Sequence, residues 1–177
     1  MIHIKKSALF IGSNSKNWKP NLSRVTEGFL KTKICFVPKF VIDKLNCLLS
    51  IIYKVLILNK FIWIIDADKK YKRFMDLNLS MFCRGNVFYL TSVNKGFLTN
   101  KTINCPTPCL VLFSKADSHE SLIKSLKDKG VMCAGITLKK NTFLDYGINF
   151  NDKGFDVFKI ILYYILYIVS IKSNEKI

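Results

Sequence analysis

The sequence predicts an α/β fold, an open sandwich in which helices cover both faces of a mostly parallel sheet. Short apolar runs of strand length alternate along the chain with longer runs of helical periodicity. The short runs are apolar throughout, which is typical of parallel strands that are buried on both faces. Half of the 177 residues are hydrophobic, so the chain is long enough and apolar enough for one sizeable core.

The first half of the chain contains two predicted strands and two predicted helices. In chain order these are the strand Lys33–Val37, the helix Val41–Leu58, the strand Phe61–Ile65 and the helix Lys69–Cys83. Pro38 suits the first turn of the earlier helix, because proline lacks the N–H that this turn leaves unpaired. Asp66 and Asp68 follow the buried strand, and either is able to cap the helix after it.

The second half of the chain continues the alternation. It contains the strands Asn86–Leu90, Leu110–Phe113 and Val131–Leu138 and the helices Ser118–Lys129 and Asp156–Ile171. Ser114, Asp117 and Ser118 are candidate N-caps for the first of these helices, and Gly130 ends it. The closing helix has about a dozen apolar residues where a membrane span needs roughly 20, so we expect it in the core.

Three regions and an organellar origin are expected from composition. Residues 1–32 form a basic N-terminal segment, residues 33–171 the α/β domain and residues 172–177 a polar tail.

The start MIHIKKSALFIG predicts neither a signal peptide nor a transit peptide. The chain is rich in Lys, Asn, Ile and Phe, which AT-rich codons encode. This bias favours a protein encoded and made inside an AT-rich organelle, in the mitochondrial matrix or alternatively in a plastid. An AT-rich bacterium is the other source that fits the same bias.

The charge of the chain is strongly one-sided. It has 28 Lys+Arg against 12 Asp+Glu, a formal net charge of +16 and a pI near 9.7. Such a surplus favours a polyanionic partner, with nucleic acid as the first expectation and an anionic membrane surface as its rival. A solvated face of a merely basic protein is the plainer alternative. The cations cluster in loops and at element ends: Lys5, Lys6, Lys16, Lys19, Arg24, Lys69, Lys70, Lys72, Arg73, Lys95, Lys101, Lys139 and Lys140.

Residues that would indicate catalysis or metal binding are sparse. The six cysteines include no C-x-x-C, which favours buried thiols in a reducing compartment. No phosphate-binding glycine motif is present, and His3 and His119 have no catalytic sequence context. Asp66-x-Asp68 is a possible divalent-metal pair, although helix capping is the favoured interpretation. We expect no cofactor, no resident metal and no small-molecule substrate.

Five short motifs occur in an order that resembles one known family. They are LFIGSNSKNWKPNLSRVTEG from Leu9, FIWIIDADKK from Phe61, KGFLTN from Lys95, PCLVLF from Pro108 and DYGINFND from Asp145. The set resembles the bacterial-type small ribosomal subunit protein S-two family, over residues of about 9 to 170. The matching positions include Gly12, Trp18, Pro20, Gly96, Thr99, Asp145, Asn151 and Asp152.

The resemblance implies a flavodoxin-like sandwich and a structural role in the ribosome. It implies a divergent organellar member that binds small-subunit rRNA and neighbouring ribosomal proteins in translation, with no chemistry of its own. Asn100 and Pro108 are too close in sequence to hold the long helical hairpin that family members carry between these motifs. We expect rRNA contacts from Lys16, Lys19, Arg24, Lys69, Lys70, Lys95, Asn100 and Lys101.

Two other functions remain open on the sequence. One is a metal-dependent enzyme on a doubly wound α/β sheet that uses Asp66 and Asp68. The other is a peripheral membrane protein that uses the closing helix and a basic face.

Overall fold

A computed structural model describes residues 11–14, 26–30, 33–66, 69–91, 106–137, 143–149 and 157–174. The strands are β1 Ile11–Asn14, β2 Thr26–Leu30, β3 Lys33–Phe36, β4 Ile62–Ile65, β5 Val87–Leu90, β6 Leu110–Phe113, β7 Met132–Thr137 and β8 Tyr146–Asn149. The helices are α1 Pro38–Ile57, α2 Lys72–Leu77, α3 Leu79–Arg84, α4 Glu120–Lys127 and α5 Val157–Asn174, and a 3-10 turn, Ala116–Ser118, precedes α4.

The main sheet is parallel throughout and has the strand order β5-β4-β6-β7-β8. This order corresponds to the flavodoxin-like doubly wound arrangement, in which the strand order reverses between the first and third strands. Here the reversal lies between β4 and β6, whose residues Ile62 and Leu110 are opposite each other. The predicted open α/β sandwich with a flavodoxin-like sheet is therefore confirmed.

Two apolar clusters, one on each face of the sheet, explain why its central strands are apolar throughout. Ile62 and Ile64 of β4 belong to the cluster that includes residues of α1, α2, α3 and α5. Trp63 and Ile65 belong to the opposite cluster, which includes residues of α4. Successive side chains of a strand point to opposite faces, so a strand covered on both sides has no position for a solvated residue.

Helix α5 runs longer than the sequence predicts. It extends to Asn174, and in the described part of the chain it is the one helix that is long and apolar enough to cross a membrane. Its inner side, which includes Phe158, Ile161 and Ile165, is buried in the first cluster.

One predicted strand belongs elsewhere, and one strand was not predicted. Lys33–Phe36 does not join the parallel sheet but pairs antiparallel with β1 and β2 in a three-stranded sheet. The edge strand β8, Tyr146–Asn149, lies inside a motif that carried no strand prediction. Gly147 and Asn149 have low strand propensity, so a four-residue strand that contains both gives only a weak local pattern.

The predicted helix Lys69–Cys83 is divided into α2 and α3. Lys69 has a φ of 54°, in the left-handed region, so the helix begins only at Lys72. Asn78 separates the two helices, and its side-chain amide donates to the carbonyl of Phe74 at 2.8 Å. Such local bonds compete with the helical pattern of the backbone.

The predicted N-caps and buried thiols also need correction. Within the described residues, no side chain caps α4, and the hydroxyls of Ser114 and Ser118 bond instead to Asp66 and to the carbonyl of Lys115. Cys133 is buried, but a further three thiols are exposed: Cys47, Cys83 and Cys109. The exposed thiols lie on outer helix faces or at a strand end, where an apolar run still has a solvent side.

Gly135 is required where β7 passes β6. A Cβ atom at this position would lie 2.6 Å from the carbonyl oxygen of Phe113 and 2.8 Å from its Cβ. We expect Gly135→Ala to lower the free energy of unfolding by about 3 kcal/mol or more, because the clash involves backbone that cannot rotate away. Urea denaturation followed by circular dichroism measures the change.

Gly147 provides a matched control because it is the β8 partner of Gly135. A Cβ there would meet only side-chain atoms of Leu144 and Thr137, at 3.4 Å. Gly147→Ala should cost less than about 1.5 kcal/mol. Equal losses for the two substitutions would contradict the close approach of β6 and β7.

Candidate nucleic-acid interface at the carboxyl edge of the sheet

The carboxyl edge of the sheet, where all five parallel strands end, concentrates the polar residues of the described core. Asp66, Thr137 and Asn149 are the buried polar residues of the described chain, and each lies at or directly after the carboxyl end of a strand. In open parallel sheets this edge is where ligands bind, at the point where the strand order reverses. Asp66 and Ser114 lie at that point, after β4 and β6.

Three hydrogen bonds from three different segments converge on the carboxylate of Asp66. The backbone N–H of Tyr71 and the hydroxyl of Tyr89 donate to Oδ2 at 2.9 Å and 2.8 Å. The hydroxyl of Ser114 donates to Oδ1 at 2.8 Å. Asp66 is only 1% exposed, and a buried carboxylate needs such donors to offset its lost hydration.

The hydroxyl of Tyr89 remains a donor at all ordinary pH values. Burial raises the pKa of Tyr89 far above its usual value, and the hydrogen bond to Asp66 and the negative charge of Asp66 raise the pKa further. Ionised Tyr89 would place a second negative charge against the Asp66 carboxylate. The pair therefore works as a fixed donor and acceptor between β4 and β5.

The bonding of Asp66 bears on the predicted Asp66–Asp68 metal pair. Asp68 is outside the described residues, and the oxygens of Asp66 already accept from three donors. Among the residues that the structure describes, no group of three or more His, Cys, Asp or Glu is placed to hold a metal ion. Asp66 does hold the chain before α2, but through the N–H of Tyr71 rather than as the predicted N-cap.

Exposed cations surround this buried network at the same edge. Lys69 and Lys70 follow β4, and Lys115 follows β6. The ammonium of Lys70 lies 5.3 Å from the ring centre of Tyr71. A positive surface over a buried, fully bonded carboxylate suits contact with a phosphate backbone, because such contacts need charge and reach rather than a shaped pocket.

Most of the predicted RNA-binding residues lie outside the described segments. Lys69 and Lys70 are described, and Lys115 is an edge cation that the sequence analysis did not single out. A set of six predicted contact residues lies outside the described ranges: Lys16, Lys19, Arg24, Lys95, Asn100 and Lys101. Lys139 and Lys140, which the sequence analysis grouped with these cations, also lie outside the described residues.

Two of the predicted motif residues lie within described segments. Gly12 is part of β1, and Asp145 lies directly before β8. Trp18, Pro20, Gly96, Thr99, Asn151 and Asp152 are outside the described residues.

Asp145 connects α4, β7 and β8 at the opposite edge of the sheet. Its Oδ2 accepts from the N–H of Cys133 at 2.9 Å, and its Oδ1 lies 2.8 Å from Nζ of Lys127. Its own N–H donates to the carbonyl of Cys133. Partial burial by itself would raise the pKa of Asp145, but the bonds from Lys127 and Cys133 outweigh it and lower the pKa.

Tyr89 and Ser114 are the site residues that the sequence analysis missed. Ser114 was assigned as a helix cap, and Tyr89 as part of a strand. One signal pointed to the site: Asp66 and Ser114 are the first residues after two fully buried strands, and Thr91 follows the neighbouring β5. In a parallel sheet these positions meet at one edge.

Comparison with known protein families and with curated proteins finds no match to the chain. The geometry and the sequence thus define a class, a flavodoxin-like α/β sandwich with a basic carboxyl edge. The resemblance to the S-two family rests on the quoted motifs.

We expect Asp66→Ala to lower the free energy of unfolding by about 3 kcal/mol or more, because it leaves the Tyr89 hydroxyl, the Ser114 hydroxyl and the Tyr71 N–H without their acceptor. Asp66→Asn should cost much less. The side-chain carbonyl oxygen of the asparagine replaces Oδ2 as acceptor, and its NH₂ group donates to the hydroxyl of Ser114, which turns to accept. Urea denaturation measures the free energy of unfolding of both variants.

The same two variants separate hydrogen bonding from charge. If Asp66→Ala and Asp66→Asn lowered the free energy of unfolding equally, a role of Asp66 based on hydrogen-bond geometry would be contradicted. A melting temperature that Mg²⁺ raises in the wild type but not in Asp66→Asn would instead favour the metal-enzyme alternative.

The lowered pKa of Asp145 predicts a pH-dependent contribution to stability. A carboxyl group whose pKa is lower in the folded state stabilises the fold above its unfolded pKa, which is about 3.9. This contribution is lost as the pH falls through the folded pKa. Asp145→Asn should therefore cost up to about 1 kcal/mol at pH 7, since the side chain is partly exposed and its ion pair is screened.

The difference in free energy of unfolding between Asp145→Asn and the wild type should shrink at pH 3 and below, because a protonated carboxyl group resembles the amide. Urea denaturation at each pH measures it. In a Lys127→Met background, which lacks the cation, Asp145→Asn should cost less free energy of unfolding at pH 7 than it costs in the wild type. A difference that stays constant between pH 7 and pH 2 would rule out a lowered pKa.

Proposed function

We propose that the chain is a structural protein of an organellar small ribosomal subunit that binds rRNA and neighbouring ribosomal proteins. The observation that carries the RNA-binding part is the formal net charge of +16 on a compact α/β fold. A surplus of this size repels itself unless a polyanion is close. The assignment to the ribosome rests on the five ordered motifs and on the resemblance they carry.

The fold supports this proposal without deciding it. The S-two resemblance implies a flavodoxin-like parallel sandwich, and the sheet has that strand order. One fold serves many functions, so agreement in fold adds weight only together with the motifs. Three of those motifs, FIWIIDADKK, PCLVLF and DYGINFND, contain β4, β6 and β8 of the parallel sheet.

A structural role also agrees with the way Asp66 is used. The carboxylate at the reversal point is buried and accepts from Tyr71, Tyr89 and Ser114. A metal ion there would have to displace donors that hold three chain segments together. The exposed charge at this edge, by contrast, belongs to lysines in the segments after the strands.

The same proposal includes the compartment. The abundance of residues that AT-rich codons encode favours translation inside the organelle, and we propose the mitochondrial matrix as its location with the plastid as the alternative.

Phosphate contacts by lysine give affinity with little reading of the RNA sequence. Such contacts suit a protein whose position on the RNA is fixed by its neighbours in an assembly.

The proposal predicts salt-dependent binding in which Lys69 and Lys70 take part. The purified chain should bind a small-subunit rRNA transcript, and log K should fall linearly with log salt concentration. Replacing both lysines with alanine should lower the steepness of that line by about 1 for each phosphate that the chain no longer neutralises. Fluorescence anisotropy at salt concentrations from about 50 to about 200 mM measures the slope.

Lys60 is the matched control, because it precedes β4 at the amino edge whereas Lys69 follows β4 at the carboxyl edge. Lys60→Ala should leave the slope unchanged. An equal effect of Lys60→Ala would contradict the placement of RNA at the carboxyl edge. Recovery of the protein only in ribosome-free fractions at low salt would overturn the ribosomal assignment itself.

A further inference from the structure

A groove lies between α1 and α5 on the outer side of the helical layer. Its walls carry large side chains, several of which are strongly exposed: Ile57 is 48% exposed and Tyr167 is 63% exposed. The cavity has a volume of about 240 Å³. The lining consists of Tyr53, Ile57, Tyr164, Tyr167, Ile168, Ile171 and Lys172, and we call it the tyrosine groove.

The tyrosine groove is formed by two helices whose spacing is fixed. The ammonium of Lys172 in α5 donates to the carbonyl of Leu56 at 2.7 Å and to the side chain of Asn59 at 2.5 Å, and so ties α5 to the end of α1. Ile168 forms the floor and is 5% exposed. A groove with a buried floor and fixed walls binds a partner with little loss of conformational entropy in the protein.

The charges around the tyrosine groove have one sign. The charged residues of α5 are Lys159 and Lys172, and the only charged residue of α1 beyond Lys44 is Lys54. In these two fully described helices, no Asp or Glu follows Asp43. An occupant with carboxylates along its edges would be electrostatically complementary, and such complementarity selects partners and speeds their encounter.

The side chains that line the groove favour an acidic protein as its occupant over RNA or a second copy of the chain. The aliphatic side chains of Ile57 and Ile171 neither stack on bases nor bond to phosphates, which are the two contacts that single-stranded nucleic acid uses most. A second copy of the chain would bring Lys54 and a net charge of +16 against the same charges. Exposed tyrosines are enriched at protein-binding surfaces, where they pack against aliphatic side chains.

We propose that the tyrosine groove docks an amphipathic helix of another protein, with its apolar side in the groove and Asp or Glu along its flanks. Helix-in-groove recognition uses anchors at helical spacing on one face, and a groove between two helices presents the matching surface. Helix α1 leads into the amino end of β4, so the groove lies toward the amino edge, away from Lys69 and Lys70. The occupant and the RNA would therefore bind at separate places.

The test uses a designed peptide of about 18 residues, enough for about five helical turns. Leucine occupies every third and fourth position, glutamate fills the flanks, and a fluorescent label reports binding to the full chain by anisotropy. A peptide of the same composition in scrambled order has equal charge but no apolar face. We expect the amphipathic peptide to bind at least about tenfold more tightly than the scrambled one.

Variants of the chain locate the binding. Ile57→Glu and Tyr167→Glu should each weaken peptide binding about tenfold or more, since each places a carboxylate in the groove. Lys54→Glu should weaken it less, and the loss should fade as salt rises. Leu77→Glu is the matched control, because Leu77 is an exposed leucine on α2 outside the groove and should leave binding unchanged. Circular dichroism verifies that each variant is folded.

In the peptide, vesicle and light-scattering measurements, any of four results would overturn the proposal. The first is equal binding of the amphipathic and scrambled peptides, and the second is equal loss in Leu77→Glu and Tyr167→Glu. The third is binding of phosphatidylglycerol vesicles that Tyr167→Glu abolishes and the peptide does not block, which would assign the groove to a membrane surface. The fourth is a dimer in light scattering that Ile57→Glu dissolves, which would assign it to a second copy.

RNA binding separates this inference from the proposed function. The groove variants should retain full affinity for the small-subunit rRNA transcript, and replacement of Lys69 and Lys70 should leave peptide binding intact. Loss of RNA binding in Tyr167→Glu would overturn the proposal by assigning the groove to RNA. Absence of RNA binding in the wild type would contradict the proposed function and leave the peptide result standing.

Discussion

The carboxylate of Asp66 joins three segments of chain where the strand order of the sheet reverses. Tyr89 reaches it from the end of β5, Ser114 from the end of β6, and the backbone of Tyr71 from the turn before α2. At this point the sheet is buried on both faces, so a charge is tolerated only when donors replace its water. Removal of any one donor leaves the carboxylate less well satisfied and weakens the link between the segments. The carboxyl edge is thus organised around one satisfied anion.

Local sequence was enough for the central elements of the fold, because burial on both faces leaves a continuous apolar run. FIWII and LVLF became β4 and β6 for this reason. The edges depended on distant partners. Lys33–Phe36 is as β-rich as the central strands, yet its partners in β1 and β2 place it in another sheet. The edge strand β8 and the helix break at Asn78 left only weak local signals.

The sequence predicted the positive charge of the candidate site and its position at the carboxyl edge of the sheet, but not the hydrogen-bond partners of Asp66. A polar residue after each buried strand marks the carboxyl edge, and Asp66 was identified on that basis. Its side-chain partners lie 23 and 48 residues away in sequence, in strands whose adjacency follows only from the sheet order. Cations were visible from composition, but Lys115 was hidden among cap candidates. Pairing across strands is a property of the folded sheet, and a linear pattern does not contain it.

The direction of α1 and α5 accounts for the separation of the two proposed surfaces. Both helices run antiparallel to the strands they cover, since α1 precedes β4 and α5 follows β8. Their carboxyl-terminal halves therefore lie toward the amino edge of the sheet, where Lys172 fixes α5 to the end of α1. The lysines after β4 and β6 lie at the other edge. The proposed RNA contacts at the carboxyl edge would therefore leave the apolar groove at the amino edge accessible to a protein neighbour.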